Sequence, residues 1–169
     1  LASGLEFLQL ASVQGGVSIG GKPGEPYGVI RGKDFIYVNG QPKVYTTADA
    51  PSGSYVGVYA RTSNSDNVLG DINPDWTGGI KNSFKYKDFN ASFLIDIQEG
   101  GNFFSLDTYY GYGTGIYDMS VGNNELGNPV RNSIANGGGI ILPGVNADGS
   151  PNTTRARMDW YANPYGWAR

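Results

Sequence analysis

The sequence predicts an all-β fold of antiparallel strands, and three observations carry the prediction. Glycine (27 residues) and proline (9 residues) together make more than a fifth of the 169-residue chain, which favours turns over helices. Residues 76–98 alternate apolar and polar side chains with a period of two, the signature of a strand with two unlike faces. Tyrosine, at 12 residues the commonest aromatic, is favoured in strands, at wet binding surfaces and in the belts where a membrane meets water. The length suffices for one domain with a sizeable core, although the apolar share of 39% is below the globular average.

Taken in order, residues 1–13 (LASGLEFLQLASV) read as a strand and residues 14–24 (QGGVSIGGKPG) as a glycine-rich break. Short strands are expected at residues 27–31 and 35–38. Asn39-Gly40 before QPKV is a hairpin signal, because both central residues of such a turn need positive φ. Residues 46–53 read as a loop, 55–59 (YVGVY) as a strand, and 62–75 as a polar connection ending in a turn-forming Asn-Pro-Asp run. After Gly101 the chain mixes aromatics with glycine, with a short helix expected near residues 106–110. Residues 123–169 read as a long Asn/Gly/Pro/Ser-rich loop interrupted by an apolar island at 140–142. Loops of that length usually carry function.

Residues 76–98 form the clearest element. One phase of the first strand is Trp76, Gly78, Ile80, Asn82, Phe84 and Tyr86, and the other carries Lys81, Lys85 and Lys87. In the second strand Ala91, Phe93, Ile95 and Ile97 alternate with Ser92, Leu94, Asp96 and Gln98, after a short turn at residues 87–90. Trp76 and Tyr86 bracket the oily phase. At about 3.3 Å per residue and a tilt near 45° their separation spans roughly 23 Å, close to the apolar band of an outer-membrane barrel with its aromatic girdles. A half-buried hairpin of a soluble sandwich gives the same alternation, with the oily phase turned into a core.

Several classes lose support. A net charge of −3 with 12 Lys and Arg argues against nucleic acid as a partner. With no cysteine there are no disulfides, thiolate metal sites or cysteine nucleophiles, and with no histidine there is no Ser-His-Asp triad. No metal and no cofactor is expected. The acids Asp66, Asp71 and Asp75 and the run DGSPN (148–152) lack calcium-loop spacing. GYGTG (111–115) lacks a phosphate-cradle context, and Asp96 with Glu99 is a carboxylate pair only on paper. NTT (152–154) matches a glycosylation acceptor by chance if the chain is bacterial. No run approaches the roughly 20 apolar residues of a membrane helix, and residues 1–13 lack a signal-peptide pattern. The chain opens without a methionine and stops at Arg169, which reads as a piece of a longer protein.

Three stretches carry a resemblance: GEPYGVIRGKDF (24–35), VLGDINPDWTGGIKNSFKYKDFNASFLIDIQEGGNFFS (68–105) and ILPGVNADGSPNTT (141–154). In this order and spacing they resemble the C-terminal part of the barrel in SusC/RagA-type TonB-dependent outer-membrane transporters. The resemblance covers residues 20–165. Its most specific part is 68–105, where Asn73-Pro74-Asp75-Trp76, Tyr86-Lys87-Asp88-Phe89 and Gly100-Gly101 fall in place. It implies that residues 1–169 are a partial C-terminal barrel region, from which the plug domain and the remaining strands of a 22-stranded barrel are absent. It also implies an outer-membrane location, a SusD-like surface lipoprotein as partner, TonB engaged through the absent plug, and import of oligosaccharide or peptide without covalent chemistry.

On that reading the turn near Lys87 faces the periplasm, and residues 64–75 and 101–169 form long extracellular loops. Lys81, Lys85 and Asp96 face the lumen; Trp76, Ile80, Phe84, Phe93 and Ile95 face lipid. Tyr109, Tyr110, Tyr112 and Trp160 are candidates for ligand or partner contact, the bland alternative being that loop aromatics pack on one another. A secreted or surface all-β carbohydrate-binding module stands as the alternative function, with a carboxylate-dependent hydrolase behind it.

Overall fold

In the computed structural model, which describes residue 4 and residues 6–158, strand β1 (Leu8–Gln14) turns through Gly15-Gly16 into β2 (Val17–Gly21). Both glycines have positive φ, 55° and 80°, so they make a two-residue hairpin loop that side-chain-bearing residues would strain. The expected break at 14–24 is therefore corrected: it holds a turn and a strand. Its glycine content hid the strand, since Val17 and Ile19 are the only apolar side chains of β2.

The next strand, β3 (Val29–Gly32), pairs antiparallel with β2 and, on its other edge, with β6 (Asn67–Asp71), giving the order β1-β2-β3-β6. The region 62–75, read as a polar connection, thus contains a strand. A residue's polarity does not show which backbone will pair with it, and here β3 supplies the partner. Between β3 and β6 the chain makes a long excursion containing a small hairpin, β4 (Tyr37–Val38) and β5 (Gln41–Pro42). Its turn is Asn39-Gly40, with φ of 50° and 78° as that dipeptide predicts.

The strand expected at residues 55–59 is absent. A 3₁₀ turn occupies Gly53–Tyr55, Gly57 has φ 83°, and only Tyr59 keeps a bridge, to Val44. The positive φ breaks the extended run that the alternation of Tyr and Val implied.

Two long strands follow, β7 (Trp76–Tyr86) and β8 (Phe89–Glu99), joined by the two-residue turn Lys87-Asp88. They pair residue for residue from Trp76–Glu99 to Tyr86–Phe89 and form a separate two-stranded ribbon. Beyond it lies the single α-helix of the described residues, α1 (Leu106–Thr114). The Ser105 side chain caps its N-terminus by accepting from the Thr108 amide at 3.2 Å, and Gly115 in the left-handed conformation closes its C-terminus. Strands β9 (Ile140–Ile141) and β10 (Arg155–Ala156) pair within the final loop.

The architecture is therefore all-β and antiparallel, with little helix and no closed barrel among the described residues. Two places hold its buried side chains. Val17, Val29 and Ile30 pack on the four-stranded sheet, while Val44, Val58, Ala60, Val130, Leu142 and Ala156 form a second core in the loops. The apolar island at 140–142 belongs to that second core, with Leu142 only 1% exposed.

The second core knits two segments far apart in sequence. The Val44 amide donates to the Val145 carbonyl at 2.8 Å, the Val145 amide to Pro42 at 3.0 Å, and Lys43 bridges Val145 in parallel. The Asn152 side chain, buried, donates to the Leu142 carbonyl at 2.9 Å. The loops after β3 and β8 thus form one interlocked unit.

Asp49 ties down one corner of this unit. Burial by itself pushes its carboxyl up, but the Lys43 ammonium 2.6 Å away and the Thr46 amide and hydroxyl at 2.7 and 2.8 Å outweigh burial and hold it at about 2. A carboxyl more acidic in the fold than its ordinary value near 3.8 stabilises fully above that value and stops doing so as pH falls through about 2. With solvent screening at this partly exposed site, the loss is about 1–2 kcal/mol between pH 4 and 2. Protease sensitivity of residues 41–60 is expected to rise across that window, and Asp49→Asn is expected to flatten the profile.

Candidate functional site

The ribbon of β7 and β8 is the feature that the alternation singled out. In an antiparallel pair, residues directly opposite project to the same face. Ile80 lies opposite Ile95, Asn82 opposite Phe93, Phe84 opposite Ala91 and Gly78 opposite Ile97. The oily phases of the two strands therefore coincide on one side, where the Phe84 and Phe93 rings stack at 6.1 Å. Nothing in the described chain covers that side: Trp76, Ile80, Phe84, Phe93 and Ile95 are 47–60% exposed. Lys81, Lys85 and Asp96 share the opposite side with Thr77, Ser83, Ser92 and Gln98. Leu94, 67% exposed, breaks that side's polar character, and Asn82 breaks the apolar side.

One residue of the apolar side was missed. With only Lys87 and Asp88 in the turn, Phe89 enters the strand opposite Tyr86. Both are highly exposed, so an aromatic pair closes the turn end as Trp76 closes the other. A tighter turn assignment, prompted by the Lys-Asp pair, would have found it.

The motif words of the sequence meet at the ribbon's base. The Asn73 side chain donates to the Tyr27 carbonyl at 2.5 Å, while its amide is held by Asp71 Oδ1 at 2.9 Å. The Ile72 amide donates to Gly28 at 3.1 Å and the Asp75 amide to Glu99 at 2.8 Å. Trp76 Nε1 reaches Glu99 Oε2 at 3.2 Å. Gly100 and Gly101, with φ of 85° and 79°, let the chain turn against residues 72–75. An added Cβ at Gly100 would come 2.6 Å from the Asp75 amide nitrogen. Asn102 then donates its amide to the Asp71 carbonyl at 2.6 Å and accepts the Asp71 amide on Oδ1 at 3.3 Å, extending the edge of β6. The NPDW and EGG words are thus the joint between ribbon and sheet. Asn73→Ala is expected to loosen this joint by about 1 kcal/mol, read as faster amide exchange at Ile72 and Asp75 with the ribbon's centre unchanged.

The loop candidates separate. Tyr109 is half-buried, with its ring 5.8 Å from Phe104 and both rings against Gly15 of the β1–β2 turn. Tyr112 is also half-buried and meets Tyr117 edge-on at 4.9 Å. Tyr110, 5.1 Å from Tyr109, is half exposed. Trp160 lies outside the described residues. Arg131 holds the end of the helix, donating to the Gly115 carbonyl and, through Nε, to the Ser120 carbonyl at 2.7 Å. Helix α1 therefore meets the β1–β2 turn through Tyr109 and leaves Tyr110 half exposed.

The charged groups form structural ties. Arg31, 4% exposed, pairs with Glu25 and with Asp66 at 3.1 Å. Lys22, 2.5 Å from Asp66, holds that carboxyl below its ordinary range. Arg155 does the same for Glu125. Among the described residues no three acidic side chains gather into a group fit for a metal ion, and no helix is long and apolar enough to cross a membrane. The sequence matches no protein-family model, and no curated protein matches it.

Proposed function

We propose that this chain is part of the wall and outer loops of an outer-membrane TonB-dependent nutrient importer of the SusC/RagA type, taking up oligosaccharide or peptide together with a SusD-like surface lipoprotein. The observation that carries the reading is the uncovered, register-matched apolar side of β7 and β8, bracketed by Trp76 at one end and by Tyr86 and Phe89 at the other. In water such a ribbon would leave its apolar side exposed and its strand edges open to pairing with other chains. In a barrel its apolar side meets acyl chains, its lysines face the lumen, and further strands of the complete protein satisfy the edges, since lipid tolerates no open strand edge. No covalent step is assigned. The barrel wall shapes a lumen, and the interlocked loops present Tyr110 and the surface that a capping lipoprotein or cargo would meet.

Nitroxide labels stepped through residues 91–98 of the complete protein in membranes test this. Oxygen accessibility is expected to peak at 91, 93, 95 and 97 and water-borne nickel accessibility at 92, 94, 96 and 98. Equal nickel access at all positions would remove the membrane reading. One observation favours a surface all-β binding module instead: the loops hold their own buried core around Val44 and Leu142. A monomeric chain folded in water without detergent would favour that second reading.

A further inference from the structure

The four-stranded sheet has two unlike faces, and one of them contains an unfilled space. Ile30 lies opposite Ile19 and Gly70, so Val17, Ile19, Ile30 and Gly32 share a side. The register shift between Ile30 and Arg31 turns Leu69 to that side as well, where its Cδ1 lies 2.8 Å from where a Gly32 Cβ would be. The segment Asn102-Phe103-Phe104 passes over these residues on its way from the ribbon to α1. Between strap and sheet lies a cleft of about 330 Å³ lined by Val17, Ile30, Leu69, Asn102, Phe103 and Phe104.

The side chains that line it are aliphatic or aromatic apart from the Asn102 amide, with backbone polar atoms between them. Asn102 is fixed by its bonds to Asp71, which use its backbone amide and its side-chain oxygen. Its Nδ2 donor is left without a partner among the described residues. A lining of aliphatic and aromatic groups with one placed polar atom is the usual make-up of a small-molecule site, and 330 Å³ lies within the usual size range. Gly70 lets the site exist, because a Cβ there would collide with the Asn102 side chain.

We propose that this cleft binds a small planar aromatic molecule carrying one hydrogen-bond acceptor, its ring between Phe104 and the Val17–Ile30–Leu69 wall and its acceptor on Asn102 Nδ2. The inference stands apart from the membrane reading, because the site lies on β2, β3 and β6 and not on the ribbon. Water access to the ribbon would leave it untouched.

Acetophenone is the test compound and ethylbenzene its counterpart without the acceptor, each titrated into the full chain while methyl resonances are followed by NMR. Saturable shifts at Val17, Ile30 and Leu69 are expected, with acetophenone binding about fivefold tighter than ethylbenzene. Leu69→Trp, which fills the cleft, is expected to abolish the shifts while the distant Val44 and Ala156 methyls stay dispersed as a check of folding. Three results would overturn the proposal. They are no saturable shift, shifts confined to Ile80 and Ile95 of the ribbon, or equal affinity for the two compounds. A fourth would do the same: if Phe103→Ala alone moves the Val17 and Ile30 methyls as the ligand was expected to, Phe103 itself occupies the space.

Discussion

A lysine in place of Ile80 is expected to remove the complete protein from the membrane. Ile80 sits at the middle of β7, directly opposite Ile95, and more than half of it is exposed on the apolar side. If that side meets acyl chains, a lysine there lies near the bilayer midplane, where such a charge costs about 2–4 kcal/mol in a barrel. That is a large part of the 5–15 kcal/mol that separates folded from unfolded protein. The comparison that gives the experiment its force is Ser83→Lys, three residues along the same strand but on the lysine-bearing side. The expected outcome is a urea midpoint in lipid vesicles that drops sharply for Ile80→Lys and barely moves for Ser83→Lys. Equal midpoints would mean that both sides of the ribbon see the same solvent.

An alanine at Gly57 is expected to unlock the loop unit, through two causes that act together. Gly57 has φ 83°, a conformation costing an alanine about 1–2 kcal/mol. Its absent Cβ also matters: an added one would stand 2.5 Å from the Arg155 carbonyl oxygen and collide with the Ala156 amide. Backbone cannot swing aside as a side-chain tip can, so overpacking adds about 1–3 kcal/mol. Because Gly57 belongs to the loop after β3 and Ala156 to β10, the two loops should loosen jointly. Amide exchange is expected to accelerate at Val44 and Tyr45 and also at Val145 and Asn152, while β7 and β8 keep their protection. Gly53→Ala, where an added Cβ meets nothing within 4 Å, is the control and is expected to leave exchange unchanged.

These two substitutions fall on opposite sides of what could be read in advance. The sequence picks out Ile80 because its neighbours alternate with a period of two over eleven residues, broken on the apolar side only at Asn82, a property of the strand itself. In the sequence Gly57 reads as an interior residue of a strand, since Tyr55 and Tyr59 flank it with valines between. What makes it a turn residue is the β10 backbone, nearly a hundred positions further on, pressed against it.

The same division holds elsewhere. Asn39-Gly40, the Lys87 turn, the helix after Ser105 and both arms of the ribbon follow from local chemistry: dihedral preference, capping and side-chain alternation. β2 and β6 do not, because a short strand bearing glycine or polar residues gains its identity from the neighbour that completes its hydrogen bonds. The apolar cleft could not be foreseen either, because its walls come from three strands and a strap whose approach depends on a bulge at Leu69 and on the missing Cβ of Gly70.

By itself, then, the sequence determined the all-β class and the two-faced ribbon, together with the side to which its residues turn everywhere but at Phe89 and Asn90, which it left in the turn. Tertiary structure alone decided that the apolar side stays uncovered by the rest of the described residues and that the long loops interlock around Leu142. The physical reason is range. Periodicity and turn propensity are set within a few residues, whereas pairing partners and packing are settled between segments that only the folded chain brings together.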